Sequence, residues 1–183
     1  MLAYFDCFSG ISGDMTLGAF IDLGVPVQWL SQQLERMPLT GFDLSVTEVS
    51  RNHIHARRVQ VETLDHEHSR NYTDIRSLIL GSPLSSKVQA TSLTIFDRIA
   101  EAEARIHKCP KESVHFHEVG GIDAIVDIVG TALCVEYLNI EKIMASKIPL
   151  GSGFVDCRHG TLPVPAPATL EILKGVPVYG TDI

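Results

Sequence analysis

The stretch 113-SVHFHEVGGIDAIVDIVG-130 decides the fold, because a β-prone segment, a Gly-Gly pair and a helical pattern follow one another without interruption. We predict a strand at residues 113–119, a sharp turn at the two glycines and a helix that runs to about Leu138. On such a strand His115 and His117 point to the same face, and Phe116 faces the core. A strand followed closely by a helix is the unit from which α/β layers are built.

The rest of the chain repeats this alternation of strand and helix. We predict strands at 2–8, 142–150 and 176–179, a β-hairpin within 42–64, and helices at 14–24, 27–37, 73–80, 84–107 and 168–174. The pattern favours an α/β fold, a layered mixed sheet flanked by helices, as a single domain over residues 1–183. Because the chain stops at Ile183, just after a strand, we expect it to be the N-terminal part of a longer protein.

Composition restricts the functional classes. The 183 residues are 45% hydrophobic and 20% charged, with a net charge of -7, which argues against nucleic-acid binding. No apolar run reaches membrane-spanning length, and the N-terminus does not resemble a signal peptide. The four cysteines lack CxxC spacing, so we expect reduced thiols in a cytoplasmic protein. We also expect that it binds neither nucleic acid nor membrane.

Histidine pairs are the first candidates for metal binding. His115 and His117 could converge on one ion, with Asp123 as the cap of a helix beginning at Ala124 and Asp127 supporting a histidine from the next turn. The alternative is a strand edge with solvated histidines, because H-x-H alone is a weak pattern. The other two pairs, 53-HIH-55 and 66-HEH-68, are more typical of a strand end and a solvated loop.

The segment 6-DCFSGISGDM-15 has the order strand, small-residue loop and helix start that creates an anion site. Its loop contributes the candidate ligand-binding residues Ser9, Gly10, Ser12 and Gly13. Asp6 and Asp14 would repel a bare phosphate, so a bridging cation would be needed. The alternative is a tight turn with Asp14 as a helix cap.

A third candidate is 156-DCRHG-160, where Cys157 and His159 share a face if the chain is extended. Thiolate and imidazole suit divalent ions such as nickel or zinc. The alternative is a buried small cysteine followed by a turn histidine.

Three segments, 5-FDCFSGISGDM-15, 115-HFHEVGGIDAIVDIVG-130 and 150-LGSGFVDCRHGTLPVPAPATLEILKGVPVYG-180, together resemble the LarC family of nickel insertion proteins. The resemblance implies a cytosolic nickel chelatase, or cyclometallase, of the lyase class. It would insert Ni²⁺ into pyridinium-3,5-bisthiocarboxylic acid mononucleotide, forming one carbon–nickel and two sulfur–nickel bonds. The product is the nickel-pincer cofactor of lactate racemase. CTP with Mn²⁺ or Mg²⁺ is implied for a C-terminal domain that this chain lacks.

Combining the motifs with the resemblance gives a hypothesis for the site. His115 and His117 hold Ni²⁺, His159 and Cys157 approach from the late segment, and Asp14 or Asp6 completes the site or takes the proton from the pyridinium carbon. The loop at 9–13 would seat the substrate's phosphate. This chain departs from many relatives at 65-DHEHSRNYTDI-75, where their histidine run is longer.

The expected partners are the mononucleotide, the missing C-terminal domain, the apo-enzyme that receives the cofactor and further copies in a homo-oligomer. Two other functions compete with nickel insertion. One is a metal-dependent hydrolase that acts on a phosphorylated small molecule. The other is a non-catalytic nickel-binding module that delivers the ion to a catalytic partner.

Overall fold

A computed structural model describes residues 1–63, 70–116, 119–157 and 160–181. The elements in chain order are β1 (Leu2–Phe5), α1 (Gly13–Asp22), α2 (Val27–Glu35), β2 (Phe42–Arg51), β3 (Ile54–Thr63), α3 (Tyr72–Leu80), α4 (Ser86–His107), a 3-10 turn (Lys111–Ser113), α5 (Ile122–Tyr137), β4 (Lys142–Ala145), β5 (Ile148–Leu150), β6 (Phe154–Cys157), β7 (Gly160–Pro163), α6 (Pro167–Ile172) and β8 (Val178–Gly180).

Helix α5 lies at the centre of the core. Its apolar residues are buried over more than one face, and it contacts α1, α2, α4 and β3. Gly130 allows α5 to pack closely against α1, since a Cβ on residue 130 would lie 3.0 Å from Leu17 Cδ2 of α1. An apolar helix surrounded by neighbours is the arrangement expected when hydrophobic residues are not confined to one stripe.

The α/β class is confirmed, but the strands described here pair two by two. Sheets β1–β4 and β5–β8 are parallel, whereas β2–β3 and β6–β7 are antiparallel. The predicted hairpin is present, and its two-residue turn has positive φ at Asn52 (50°) and His53 (65°). Such a turn matches the twist of the flanking strands.

The strand predicted at 113–119 is not formed over its described residues 113–116. Pro110 is followed by the 3-10 turn, after which His115 makes a single antiparallel bridge to Asn71. The backbone N–H of Tyr72 donates to Val114 O (3.1 Å), and that of Phe116 donates to Arg70 O (3.2 Å). Because Asn71 is the N-cap of α3, the segment that pairs with His115 continues into a helix, and the bridge does not extend into a ladder within residues 70–116.

Three further predictions about the ends of elements are corrected. Helix α5 begins at Ile122 with Gly121 as its N-cap, so Asp123 lies in the first turn and does not cap the helix. The strand predicted at 2–8 ends at Phe5, and Asp6 after it is exposed. The strand predicted at 142–150 is divided into β4, which pairs with β1, and β5, which pairs with β8.

Within the described ranges, no helix has both the length and the apolar content needed to cross a bilayer.

Candidate functional site

The loop after β1 is held in a tight turn. The buried residue Cys7 donates its N–H to Ser146, and its carbonyl accepts the N–H of Gly10 at 3.0 Å. Gly10 has φ +89°, a conformation that other residues rarely adopt, so the glycine is needed for the turn itself. Ser9 is exposed beside it.

The first turn of α1 has no side-chain cap. Ser12 occupies the N-cap position in an extended conformation, but its hydroxyl donates to the Asp14 carboxylate and accepts no backbone N–H from the helix. Its carbonyl accepts from the Thr16 hydroxyl at 2.8 Å. The positive end of the helix dipole is therefore met by carboxylates rather than by a neutral cap.

Gly13 is pressed against α5 at the side chain of Asp127. A Cβ on residue 13 would lie 2.3 Å from Asp127 Oδ2, a separation that real atoms do not tolerate. The other carboxylate oxygen, Asp127 Oδ1, is buried and has no hydrogen-bond partner among the described residues. A buried oxygen without a donor is costly to maintain, which makes this contact a candidate for function.

Three acidic side chains, those of Asp14, Asp123 and Asp127, lie where α1 adjoins α5, and the charges of the first two act on Asp127. We call these three residues the carboxylate junction. Burial, together with the charges of Asp14 and Asp123, raises the pKa of Asp127 from 3.8 to about 6. A carboxylate whose pKa lies near neutral pH can accept a proton or bind a cation. The sequence prediction gave Asp127 only a supporting role; its signal was a lone acid within the apolar run Ile125–Gly130.

His115 is exposed on a segment that is anchored on both sides. Its neighbours Val114 and Phe116 are buried, and the Phe116 ring lies 6.2 Å from that of Phe96 on α4. The backbone is thus fixed while the imidazole faces outward.

A polar network holds the preceding 3-10 turn in place. Lys111 Nζ lies 2.9 Å from Asp97 Oδ1 and 5.2 Å from the centre of the Tyr72 ring. The Tyr72 hydroxyl donates to the same carboxylate, and this bond with the Lys111 interaction lowers the Asp97 pKa despite its burial. The three residues tie α3, α4 and the 3-10 turn together just before His115.

Cys157 ends β6 and donates its thiol to the Gly160 carbonyl (3.2 Å). It opens into a groove of about 600 Å³ between the end of α4, the β6–β7 hairpin and α6, which we call the Cys157 groove. Val119, which follows the second histidine of the 115–117 pair, also lines it. His107 and Glu103, whose Nε2 and Oε2 atoms are 3.3 Å apart, form a polar patch on the α4 wall. These two residues were not predicted, because only the fold brings the end of α4 to Cys157.

The structure distributes the predicted site residues over separate places. Asp14 and Gly13 lie at the carboxylate junction, Cys157 lies in its groove, and Asp6 with Gly10 lines a second groove along β1. His117 and His159 lie outside the described residues. Among the residues that are described, no three His, Cys, Asp or Glu side chains stand close enough to hold a metal ion together.

Comparison with known proteins gives the class. A family model described as "Nickel insertion protein" matches residues 3–183. Relatives named for nickel insertion include one from Geotalea uraniireducens (51% identical over 181 residues, 98% of this chain) and one from Wolinella succinogenes (54% over 180 residues, 97% of this chain). No solved structure matches the chain.

The chain therefore belongs to the nickel insertion family. It spans only 46% of the length of each of these two relatives, so their full polypeptides are about twice as long as the matched region.

Proposed function

We propose that this chain binds Ni²⁺ as a substrate and takes part in inserting it into pyridinium-3,5-bisthiocarboxylic acid mononucleotide. The family match over residues 3–183 is the observation that carries the proposal. The product would be the nickel-pincer cofactor of lactate racemase, made by a lyase-class cyclometallation. The four cysteines of the chain are free thiols, which supports a cytoplasmic location.

The proposed nickel ligands are His115, His117, Cys157 and His159. Imidazole with thiolate suits Ni²⁺, and an open set of ligands lets the ion leave again. Support comes from the Cys157 groove, where the mid-chain segment at Val119 meets the thiol of the late segment. The groove has the size and the mainly apolar wall typical of a small-molecule site.

The proposed chemistry is a proton-for-metal exchange at the pyridinium carbon. The electron pair of the C–H bond becomes the carbon–nickel bond, the proton passes to a protein carboxylate, and the two thiocarboxylate sulfurs replace protein ligands on nickel, which stays Ni²⁺. Asp14 and Asp127 at the carboxylate junction are the proposed acceptors, and this role requires the bound substrate to reach the junction from the Cys157 groove, which is a separate place in the structure. The raised pKa of Asp127 supports its share in this role. Asp6 is the weaker candidate, because it lines the groove along β1.

The residues at the start of α1 do not fit a nucleoside triphosphate. A phosphate at the loop Ser9–Gly13 would meet Asp14, Asp123 and Asp127 at once, and three carboxylates repel a polyanion. The single phosphate of the mononucleotide could be accommodated only with a cation between it and the acids. We assign no step to CTP in this part of the protein.

Calorimetry with Ni²⁺ tests the proposed ligands. We expect replacement of both His115 and His117 by alanine to weaken Ni²⁺ binding by roughly tenfold or more, since two of four ligands are lost. The matched control is His53→Ala with His55→Ala, because this pair lies at the β2–β3 turn, away from Val119 and Cys157. Equal binding by both double variants and the unchanged chain would remove His115 and His117 from the site.

A delivery module without catalysis is the second candidate. It is favoured by one observation, that the matched region is less than half of each relative cited. The two functions separate in a metallation assay with the pincer precursor: a delivery module binds Ni²⁺ with its histidines intact but forms no carbon–nickel bond unless the remainder of the polypeptide is added.

A further inference from the structure

In the part of the chain that the structure describes, no strand pairs with the outer edge of β1. Its only pairing within the described residues is with β4. The carbonyls of Met1 and Phe5 accept from Glu141 N–H (2.8 Å) and Ser146 N–H (2.9 Å), so the odd-numbered peptide groups face β4. Because successive peptide groups of a strand alternate in direction, the N–H and C=O of Leu2 and Tyr4 point to the opposite edge.

A groove of about 500 Å³ runs along that edge from Met1 to Asp6, and we call it the β1 groove. Its second wall is one face of α1, formed by Met15, Ala19 and Leu23 at helical spacing of four residues. Leu138 and Ile140 close one end. The groove therefore has the position of the next strand in the sheet, beside β1 and under a helix.

The groove and the adjoining sheet are strongly apolar and open to solvent. Leu2 is 53% exposed, Tyr4 59%, Met15 55% and Leu23 69%. Parallel sheets occur almost only where both faces are covered, and a two-stranded sheet is marginal by itself. An exposed edge beside an apolar groove is a template for pairing with another strand.

We propose that the β1 groove receives an extended strand from the part of the nickel insertion polypeptide that lies outside the matched region. The match covers only 46% of each relative, so the unmatched part of each relative is longer than this chain. That unmatched part contains the proposed strand. A strand fits better than a small molecule, because only a backbone matches a row of peptide groups at the strand repeat. The inference stands apart from the nickel ligands and would survive their failure.

The test uses this 183-residue chain, tagged at its C-terminus to leave Met1 unaltered, and the unmatched half of the Wolinella succinogenes relative as a separate polypeptide. We expect a one-to-one complex in which the backbone amides of Leu2 and Tyr4 become protected from hydrogen exchange. Protection should be at least tenfold above that in the isolated chain.

Two matched variants locate the contact. Met15→Lys places a charge in the groove wall, and we expect it to weaken the complex at least tenfold. Ile143→Lys is the control, because Ile143 is similarly exposed (51%) on β4 but does not line the groove. Amide spectra of both variants show whether the fold is kept.

Four results would overturn the proposal. One is the absence of a complex. The second is a complex in which the Leu2 and Tyr4 amides exchange as fast as before. The third is a complex that both lysine variants weaken equally. The fourth is concentration-dependent protection of the same two amides in the isolated chain, which would assign the groove to a second copy.

Discussion

At the scale of single residues, Asp127 is the most informative side chain. Its neighbours in sequence are apolar, and its carboxylate is pressed between the start of α1 and the body of α5. The repulsion from Asp14 and Asp123 adds to the cost of burial. A protein that keeps such a residue sacrifices stability, which is a common property of functional sites.

Replacing Asp127 by asparagine should stabilise the protein in a pH-dependent way. The folded-state pKa of about 6 lies above the ordinary value of 3.8, so the wild type binds more protons folded than unfolded and loses stability as pH rises from about 4 to above 6. Asparagine does not titrate. We expect its advantage to grow to about 2 kcal/mol at pH 8, after allowance for partial exposure. Urea unfolding at pH 4 and pH 8 measures it.

Asp123→Asn is the comparison variant, because Asp123 lies on the same helix but is exposed. Since its charge contributes to the raised pKa of Asp127, its removal should also stabilise the protein at pH 8, but by less than Asp127→Asn does. A difference between wild type and Asp127→Asn that is the same at both pH values would contradict the raised pKa.

Gly13→Ala should destabilise the protein by roughly 1–3 kcal/mol, because the added methyl group collides with the Asp127 carboxylate. Shortening residue 127 should relieve the collision. In a double-mutant cycle with Asp127→Ala, we expect a coupling of at least about 1 kcal/mol, measured by urea unfolding. Additive effects would show that the two residues do not touch.

At the scale of elements, the sequence predicted what depends on local pattern. Helices α2, α3 and α4 lie within a few residues of their predictions, since the periodicity of apolar residues is a local signal. The β2–β3 hairpin was also predicted from a local pattern, the alternation of apolar residues. The prediction for 113–119 failed over the described residues 113–116, because a strand requires a partner and the residue that pairs with His115 is the N-cap of α3.

The Tyr72–Asp97–Lys111 network gives an element-scale prediction. Tyr72→Phe keeps the ring beneath Lys111 but removes the hydroxyl that donates a hydrogen bond to Asp97. We expect the substitution to lower the free energy of unfolding by about 1 kcal/mol. Because the network anchors the 3-10 turn, amide exchange should accelerate at Val114 and Phe116 more than at Leu133 in α5. Uniform acceleration would mean that the network stabilises the fold without fixing the segment that bears His115.

At the scale of the whole molecule, burial is uneven along the chain. Among the described residues, the last fully buried apolar side chain is Ile140, and α6 contains no buried residue. The elements from β4 onward therefore rest on the outside of a core built from the preceding part. The site could not be predicted at this scale: the contact of Gly13 with Asp127 and that of the α4 end with Cys157 join positions far apart in sequence.

Limited proteolysis should reveal this division. We expect the first cuts beyond residue 141, with a resistant fragment that retains α1 to α5, because exposed elements with few buried contacts open at low free-energy cost. Mass spectrometry of the early products identifies the sites. Initial cleavage within α5 or between α1 and α2 would contradict the uneven distribution of stability.

The in–out–in placement of Val114, His115 and Phe116 has a kinetic consequence. Since both neighbours are anchored in the interior, rotation of the imidazole requires no movement of the packed chain. The side chain could therefore reorient within nanoseconds to microseconds, the time range of surface side chains and loops, rather than at the rate of chain opening. Release of an ion bound there would then be limited by the strength of the metal–ligand bonds themselves.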